Sequence, residues 1–587
     1  MSEAAPAAAT SAASESRPLR LWPAIVLLIL MWAVRIVPGY IDDLPLAALM
    51  AKFMGPAVCG LLVLLWWAFF SRAPGRERMI TLVGIVIIGV VTSLLVHFSM
   101  QGFWLIAHPI PWGITAFTVA IVLTSRLPSQ QRMMVALLAA LVAFGYWDLV
   151  RNEGSWGDFH NTYYWRWEAT PEDKFLAARQ ASATKDEAAE RVPLAEAEWP
   201  AFRGDRRDGV AAGVKLGEDW QSNAPRELWR ILVGPGWSSF AVAGDRLFTQ
   251  EQRGEDEVVV CYDANDGSEL WAFAYTSRFW ESIGGAGPRA TPTLDGGQLF
   301  AMGAEGYVHC LDAVTGEMVW SSDVRKDAGR EPPQWGFSSS PLVIDDVVVV
   351  HAGGKDDKGV LAYDRANGTL KWSAPAGDHS YSSPQRATVS GKTCVAMLDN
   401  EGLSFFDPSD GKKLGAHDWQ YQGYRVVQPL SVGDSRFLMG TGMSEGTMLV
   451  EMRPEGGEFA SEEVWKSRYM KPDYNDFVAH EGYLYGFDRN IFACIDLETG
   501  KRQWKKGRYG NGQVLLLPDA DQLLVISETG ELVLLRATPE KLEELARHQV
   551  LEGKTWNHPV VVGNRLYARN GEQAICFEMP LQRASSQ

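Results

Sequence analysis

Nine side chains in the second half of the chain have the types that hold or transform a small molecule: Trp237, Arg289, Trp335, Tyr381, Arg425, Asn475, Asp476, Asn511 and His558. Aromatic faces combined with guanidinium and amide donors suit a planar or anionic ligand. Asp476 is the one acid in the short loops that carry these residues, so it is the expected base or metal ligand. His558 is expected to be structural. The loops read Gly236-Trp237-Ser238-Ser239, Gly287-Pro288-Arg289-Ala290, Trp335-Gly336-Phe337-Ser338, Ser380-Tyr381-Ser382-Ser383, Arg425-Val426-Val427-Gln428, Tyr474-Asn475-Asp476, Asn511-Gly512-Gln513 and Trp556-Asn557-His558. Each leads into a short apolar run, so the elements that position them form an array.

The array has its own signature. Asp263-Ala264-Asn265-Asp266-Gly267-Ser268-Glu269-Leu270-Trp271 returns with the same Asp, Gly and Trp spacing at Asp312–Trp320, Asp364–Trp372 and Asp496–Trp504. The Asp side chain caps a turn, the Gly supplies positive φ, and the Trp lies on the next strand, where it can wedge between neighbouring units. Two further strand-like runs precede each motif, giving four strands per unit, which is a propeller blade. Trp229, Trp271, Trp320, Trp372, Trp465 and Trp504 mark six units. Two are degenerate: Asp407–Gly411 is followed by Gly415 in place of Trp, and Leu535 to Val550 keeps only the spacing. The expectation is an all-β propeller of eight blades over residues 199–580. Its last blade is completed by Glu227–Leu232 from the start of the domain.

The acids of the motif, Asp263, Asp312, Asp364, Asp407 and Asp496, are expected to build turns and not to bind metal. Cys261, Cys310, Cys494 and Cys576 stand just before the turn acids, which reads as a small buried position. No C-x-x-C, C-x-x-C-H or H-E-x-x-H occurs, so haem attachment and zinc-protease chemistry have no support, and no metal site is expected.

The front of the chain differs. Residues 1–20 are Ala-, Ser- and Pro-rich and are expected to be a disordered cytoplasmic tail. Five apolar segments follow, near Leu21–Val37, Leu46–Phe70, Met79–Phe98, Ile110–Thr124 and Met133–Val150, and each approaches the ~20 residues that cross a bilayer. Arg17, Arg20, Arg72, Arg76, Arg78, Arg126 and Arg132 fall on one side, and Asp42 and Asp43 on the other. The positive-inside rule then places the N-terminus in the cytoplasm of an inner-membrane protein and the propeller in the periplasm. Arg35 and Lys52 lie at the outer boundary, where snorkelling or a quinone or lipid headgroup would account for them. Residues 151–198 form a connector whose helix starts at Thr170-Pro171-Glu172-Asp173, runs to about Arg191 and is expected to space the propeller from the membrane.

Net charge is −16, and residues 1–150 carry nine Lys/Arg against six Asp/Glu, so the remainder carries −19. An acidic domain excludes nucleic acid as a partner class. The lipid bilayer and an envelope protein or small funnel ligand remain.

The Asp-x-x-x-Gly-x-x-x-Trp repeat and the segment Trp199-Pro200-Ala201-Phe202-Arg203-Gly204-Asp205-Arg206-Arg207-Asp208-Gly209 resemble the pyrroloquinoline-quinone (PQQ) repeat propellers. The resemblance covers roughly Trp199 to Pro580. It implies one of two functions. The layout is similar to membrane-bound quinoprotein glucose dehydrogenase, which implies PQQ with Ca²⁺, an Asp base and electron transfer to membrane quinone. The compact propeller is similar to the non-catalytic scaffold of outer-membrane protein assembly, which binds partners without PQQ. The chain has no adjacent cysteine pair of the kind many dehydrogenases place at PQQ. The expected function is therefore an envelope binding or scaffold module without enzymatic activity, with the quinoprotein dehydrogenase as the alternative.

Overall fold

The computed structural model describes residues 18–41, 46–182, 193–421, 423–442 and 445–582. Asp42, Asp43 and the tail to Arg17 lie outside these. Two compact units result: residues 1–152 with 163–167, and residues 153–162 with 168–587.

The first unit is helical: α1 (Trp22–Ile36), α2 (Leu46–Phe69), α3 (Gly75–Leu95), α4 (Phe103–Ala107), α5 (Pro109–Leu123) and α6 (Ser129–Asp148). Prolines mark the starts, since Pro23 and Pro109 sit in first turns that need no backbone donor. Met31, Val63, Trp67, Ile85, Phe117, Ile121 and Phe144 form its core. Gly113 admits Phe144: a Cβ there would stand 2.0 Å from the ring. Glu77 and Arg132, in the first turns of α3 and α6, form a buried pair. Arg132 Nε donates to Glu77 Oε1 at 2.6 Å, and Ser129 Oγ donates to Oε2 at 2.7 Å. Outward faces are apolar, with Ile29, Leu94 and Leu123 exposed. Among the described residues four segments are long and apolar enough to cross a membrane: Trp22–Tyr40, Met50–Phe69, Gly75–Leu95 and Phe103–Leu123. The last is longer than the expected Ile110–Thr124, because α4 extends it upstream. The expected fifth segment is the helix α6, which opens with Ser129-Gln130-Gln131-Arg132 and closes on Asp148.

The second unit is β-rich and propeller-like. Six four-stranded antiparallel sheets comprise residues 241–276, 293–323, 342–374, 478–508, 513–549, and 560–578 joined by Arg226–Leu232. One eight-stranded sheet spans residues 385–467. It consists of two four-stranded meanders, 385–418 and 430–467, joined by a parallel contact of Gly415 with Phe459. Closure is by register: Arg226 pairs with Glu578, Trp229 with Cys576 and Leu232 with Gln573.

The repeat motif is an inter-sheet latch. Each Asp accepts hydrogen bonds from its own turn, as Asp312 Oδ1 does from Val314 N and Thr315 N at 2.9 and 2.8 Å. Each Trp crosses to the next turn. The indole Nε1 of Trp229, Trp320, Trp372 and Trp465 donates to Ala264, Arg365, Pro408 and Leu497 carbonyls at 3.0, 2.9, 2.8 and 2.8 Å. The same rings cover Gly267, Gly368, Gly411 and Gly500, where a Cβ would approach within 3.0, 2.5, 2.5 and 2.7 Å. Glycine is thus required twice, for positive φ and for room. Cys261, Cys310, Cys494 and Cys576 pair across the strand with Trp271, Trp320, Trp504 and Trp229. A small side chain fits under the indole, and all six cysteines are buried free thiols.

The helix of the connector packs on the second unit. α7 (Pro171–Ser182) starts at the expected Thr170 cap, and the structure adds a reciprocal bond, Thr170 N donating to Asp173 Oδ2. Phe175 is buried, Glu172 Oε1 accepts from Gly254 N at 2.7 Å, and Arg179 pairs with Glu269. The helix lies against the 241–276 sheet. Residues 183–192, including Arg191, lie outside the described residues.

Candidate functional site

The loops leading into the innermost strands surround an axial cavity of about 180 Å³. Phe202, Trp237, Trp335, Tyr381, Tyr474 and Trp556 make its walls aromatic, and Glu281, Arg289, Gln428, Asp476, Gln513 and His558 supply polar groups. Of the nine residues singled out in the sequence, Trp237, Arg289, Trp335, Tyr381, Asp476 and His558 line it. Arg425, Asn475 and Asn511 are buried beside it and do not. Arg425 donates to Asp399 O at 3.2 Å and to Trp419 O, and lies over the Trp419 and Tyr421 rings. Asn475 Oδ1 accepts from Asp473 N at 3.1 Å, and Asn511 N donates to Glu528 Oε2 at 3.1 Å.

A relay of hydrogen bonds runs around the axis. Ser239 N donates to Thr291 Oγ1, Thr291 N to Ser340 Oγ and Ser340 N to Ser383 Oγ, each at 2.9 Å. Ser383 N then donates to Gln428 Oε1 at 2.6 Å, and Gln428 N to Asp476 Oδ1 at 2.7 Å. Each inner strand thereby satisfies the one before it, as buried backbone donors require. Asp476 is a member of this relay, and its Oδ2 lies 3.7 Å from Arg203 Nε. Burial raises its carboxyl above the usual range, while Arg203 and Gln428 N–H oppose that rise.

The remaining charges are also committed. Glu281 accepts from Ile283 N at 2.7 Å, from Gly284 N, and from Arg289 Nη2 at 3.2 Å. Arg289 further donates to Gly285 O at 3.0 Å and to Gly287 O, and lies over Phe279. His558 donates from Nδ1 to Pro559 O at 3.0 Å, and burial pushes it down to about 3, so it is neutral. The segment Phe202–Arg207 supports the ring from behind. Arg203 donates to Phe477 O at 2.8 Å, and Arg207 to Pro384 O and Ser340 O at 2.8 and 3.0 Å.

Several rim residues were not evident from the loop sequences. Glu281 sits upstream of its loop's Gly-Pro-Arg. Lys554 precedes Trp556, with its Nζ over the Trp237 and Trp556 rings at 5.0 and 4.4 Å. It donates to Ser155 O and Ile283 O at 3.1 and 3.2 Å, and burial lowers it to about 8. Residues 153–162 fasten there as well: Ser155 N donates to Ile283 O at 2.8 Å, and Gly157 N to Glu528 Oε1 at 2.6 Å. Part of the expected connector is therefore rim. The available signal was Gly157, where a Cβ would stand 2.3 Å from Asn511.

Sheets latched by a repeating Trp on Gly around a polar axis make the chain similar to the PQQ-like repeat propellers, here with apolar helices in its first unit. Residues 255–506 match the family described as outer membrane protein assembly factor BamB. The chain is 23% identical over 378 residues to the outer membrane protein assembly factor BamB of Shewanella oneidensis, covering 60% of this chain and 88% of that one. It is 25% identical over 158 residues to the Yersinia pestis protein of the same name, covering 25% and 36%. Similar solved structures include BamB from Moraxella catarrhalis, at 13% identity and TM-score 0.44, covering 60% of this chain and all (100%) of that one. A europium-containing methanol dehydrogenase is also similar, at 12% identity and TM-score 0.37, covering 65% and 98%.

The residues around the cavity do not fit PQQ with Ca²⁺. A trianionic quinone needs uncommitted cationic donors, and Ca²⁺ needs six or more oxygens with carboxylates among them. Here the inward carboxylates, Glu281 and Asp476, each already face an arginine, and Arg289 spends its donors on Glu281 and two carbonyls.

Proposed function

We propose that this protein is a membrane-anchored envelope scaffold of the assembly-factor type. On this reading the eight-stranded sheet counts as two blades, giving eight in a closed ring. α6 serves as a fifth crossing, the N-terminus is cytoplasmic, and the propeller faces the periplasm, where its loops and funnel receive a protein partner. The observation that carries this reading is that the charged groups of the axial cavity are committed to one another and to backbone. That leaves aromatic contact surface without a poised base. The curated relatives named as assembly factors support it.

Crosslinking in intact cells followed by purification in mild detergent tests the proposal. A stoichiometric envelope protein is expected, lost when the cavity-lining Trp335 and Tyr381 are both changed to Ala. Recovery of the chain alone would count against a scaffold. Titration of the purified protein with PQQ and Ca²⁺ tests the dehydrogenase alternative, and no quinone absorbance or dye reduction is expected to accompany the protein.

A further inference from the structure

The helical unit holds a guanidinium whose donors are not filled. Arg35 lies in the last turn of α1. Among the described residues no carboxylate lies within ion-pair distance of it. Its Nη2 is 3.5 Å from His108 Nδ1, its plane lies 5.0 Å from the centre of the Phe53 ring, and its Nη1 is buried with no hydrogen-bond partner. A charged donor left buried and unsatisfied is costly, so an acceptor is expected there. In a helix with apolar surroundings an ionisable residue in this state marks a binding function.

The neighbours fix the site and do not fill it. His108 stands at the break between α4 and α5, and its Nε2 is 2.9 Å from Tyr163 Oη. With Nε2 donating there, Nδ1 is the acceptor facing Arg35. Trp104 and Trp147 pack on the imidazole with ring centroids at 5.6 and 5.3 Å. Lys52 Nζ lies 5.5 Å from the same Phe53 ring. Two cations therefore share one aromatic ring, next to helix faces that expose apolar side chains.

We propose that Arg35, assisted by Lys52, binds the phosphodiester of an anionic phospholipid, with Nη1 donating to a phosphate oxygen. A guanidinium matches that oxyanion in geometry and charge, and an ammonium alongside it adds unspecific attraction. The proposal rests on the reading that these helices cross a membrane.

The test uses the full chain in nanodiscs of phosphatidylcholine, with and without phosphatidylglycerol, and counts bound phosphatidylglycerol by native mass spectrometry after delipidation. The wild type is expected to retain one phosphatidylglycerol. R35Q should lower its occupancy at least about fivefold, R35K should restore part of it, and K52Q should lower it about twofold. R72Q, an exposed arginine outside the cluster, should leave it unchanged. Wild-type occupancy in R35Q would overturn the proposal. Displacement of the lipid by low millimolar inorganic phosphate would reassign the site to an aqueous anion and overturn the lipid. Release of the chain from membranes at alkaline pH would instead defeat the membrane reading, a separate and distinguishable failure.

Discussion

The contact between the 241–276 and 293–323 sheets is made in two different ways at its two ends. At the turn end, Trp271 covers Gly316, where a Cβ would stand 2.6 Å from the ring, and its Nε1 donates to Ala313 O at 3.2 Å. At the loop end, Glu257 Oε1 accepts from Ala304 N at 3.1 Å and Oε2 from Tyr275 Oη at 2.7 Å. Gly303 makes room for that carboxylate, since a Cβ there would lie 2.2 Å from Oε2. The first contact is built from apolar area and one hydrogen bond, and it recurs at Trp229, Trp320, Trp372 and Trp465. The second is a buried charge held by neutral donors, and the repeat does not encode it. Apolar latches can be copied from unit to unit because burial is non-directional. A buried carboxylate must be satisfied one site at a time.

The largest effect is expected at the copied end. W320A removes a buried indole and leaves a cavity over Gly368. It should cost about 3–5 kcal/mol, read as a fall in the chemical-denaturation midpoint of the second unit. A loss under about 1 kcal/mol would mean that the latches are surface decoration. At the other end the sign of the pH dependence is the test. Burial raises the Glu257 carboxyl to about 7, against Tyr275 and Ala304, which favour the charged form. An acid raised on folding contributes stability that is complete below its unfolded value near 4.5 and is lost as pH rises through about 7. The wild type should therefore lose roughly 3 kcal/mol between about pH 5 and about pH 8 relative to E257Q. E257Q keeps an acceptor for Ala304 N. Parallel curves for the two proteins would show that the carboxylate is not desolvated as its 1% exposure implies.

This contrast also explains what could be read from the sequence. The Asp, Gly and Trp of each unit lie within nine residues of one another, so turn, strand and latch were legible together, and the closing strand near Trp229 followed from the same spacing. The axial residues were legible only as types. Trp237, Arg289, Trp335, Tyr381, Asp476 and His558 do converge, but nothing local announces that Arg289 is spent on Glu281 or that Asp476 completes a relay from Gln428. Those partners are eight and 48 residues away, and the second lies on a different sheet. Arg425 reads as a ligand-gripping cation, yet its Nε and Nη2 donate to the carbonyls of Asp399 and Trp419, and only its Nη1 is left without a partner. For α6, polar residues at its first turn separate it from the four more apolar segments, a difference of degree that segment counting smooths over.

The degenerate repeat gives the most pointed test of the copied end. Gly415 stands where the motif calls for Trp, opposite Phe405 as Trp320 stands opposite Cys310. It is not a decayed latch. A Cβ at Gly415 would lie 2.5 Å from Phe459 O and 2.8 Å from Phe459 Cβ, because the strand Glu458–Ser467 pairs there in parallel and joins two meanders into one sheet. Backbone hydrogen bonding has taken over the work of the indole, and Trp419 is buried in this meander with Arg425 and Lys466 over its ring. Restoring the motif by G415W should therefore destabilise the second unit, by about 1–3 kcal/mol from overpacking against backbone. Gly433 presents the opposite case, a positive φ of 76° with no neighbour within 4 Å, so G433A should cost only about 1 kcal/mol of backbone strain. If G415W instead raised the midpoint, the Trp-on-Gly contact would be favoured wherever the motif places it, and the parallel pair would be its fallback and not its replacement.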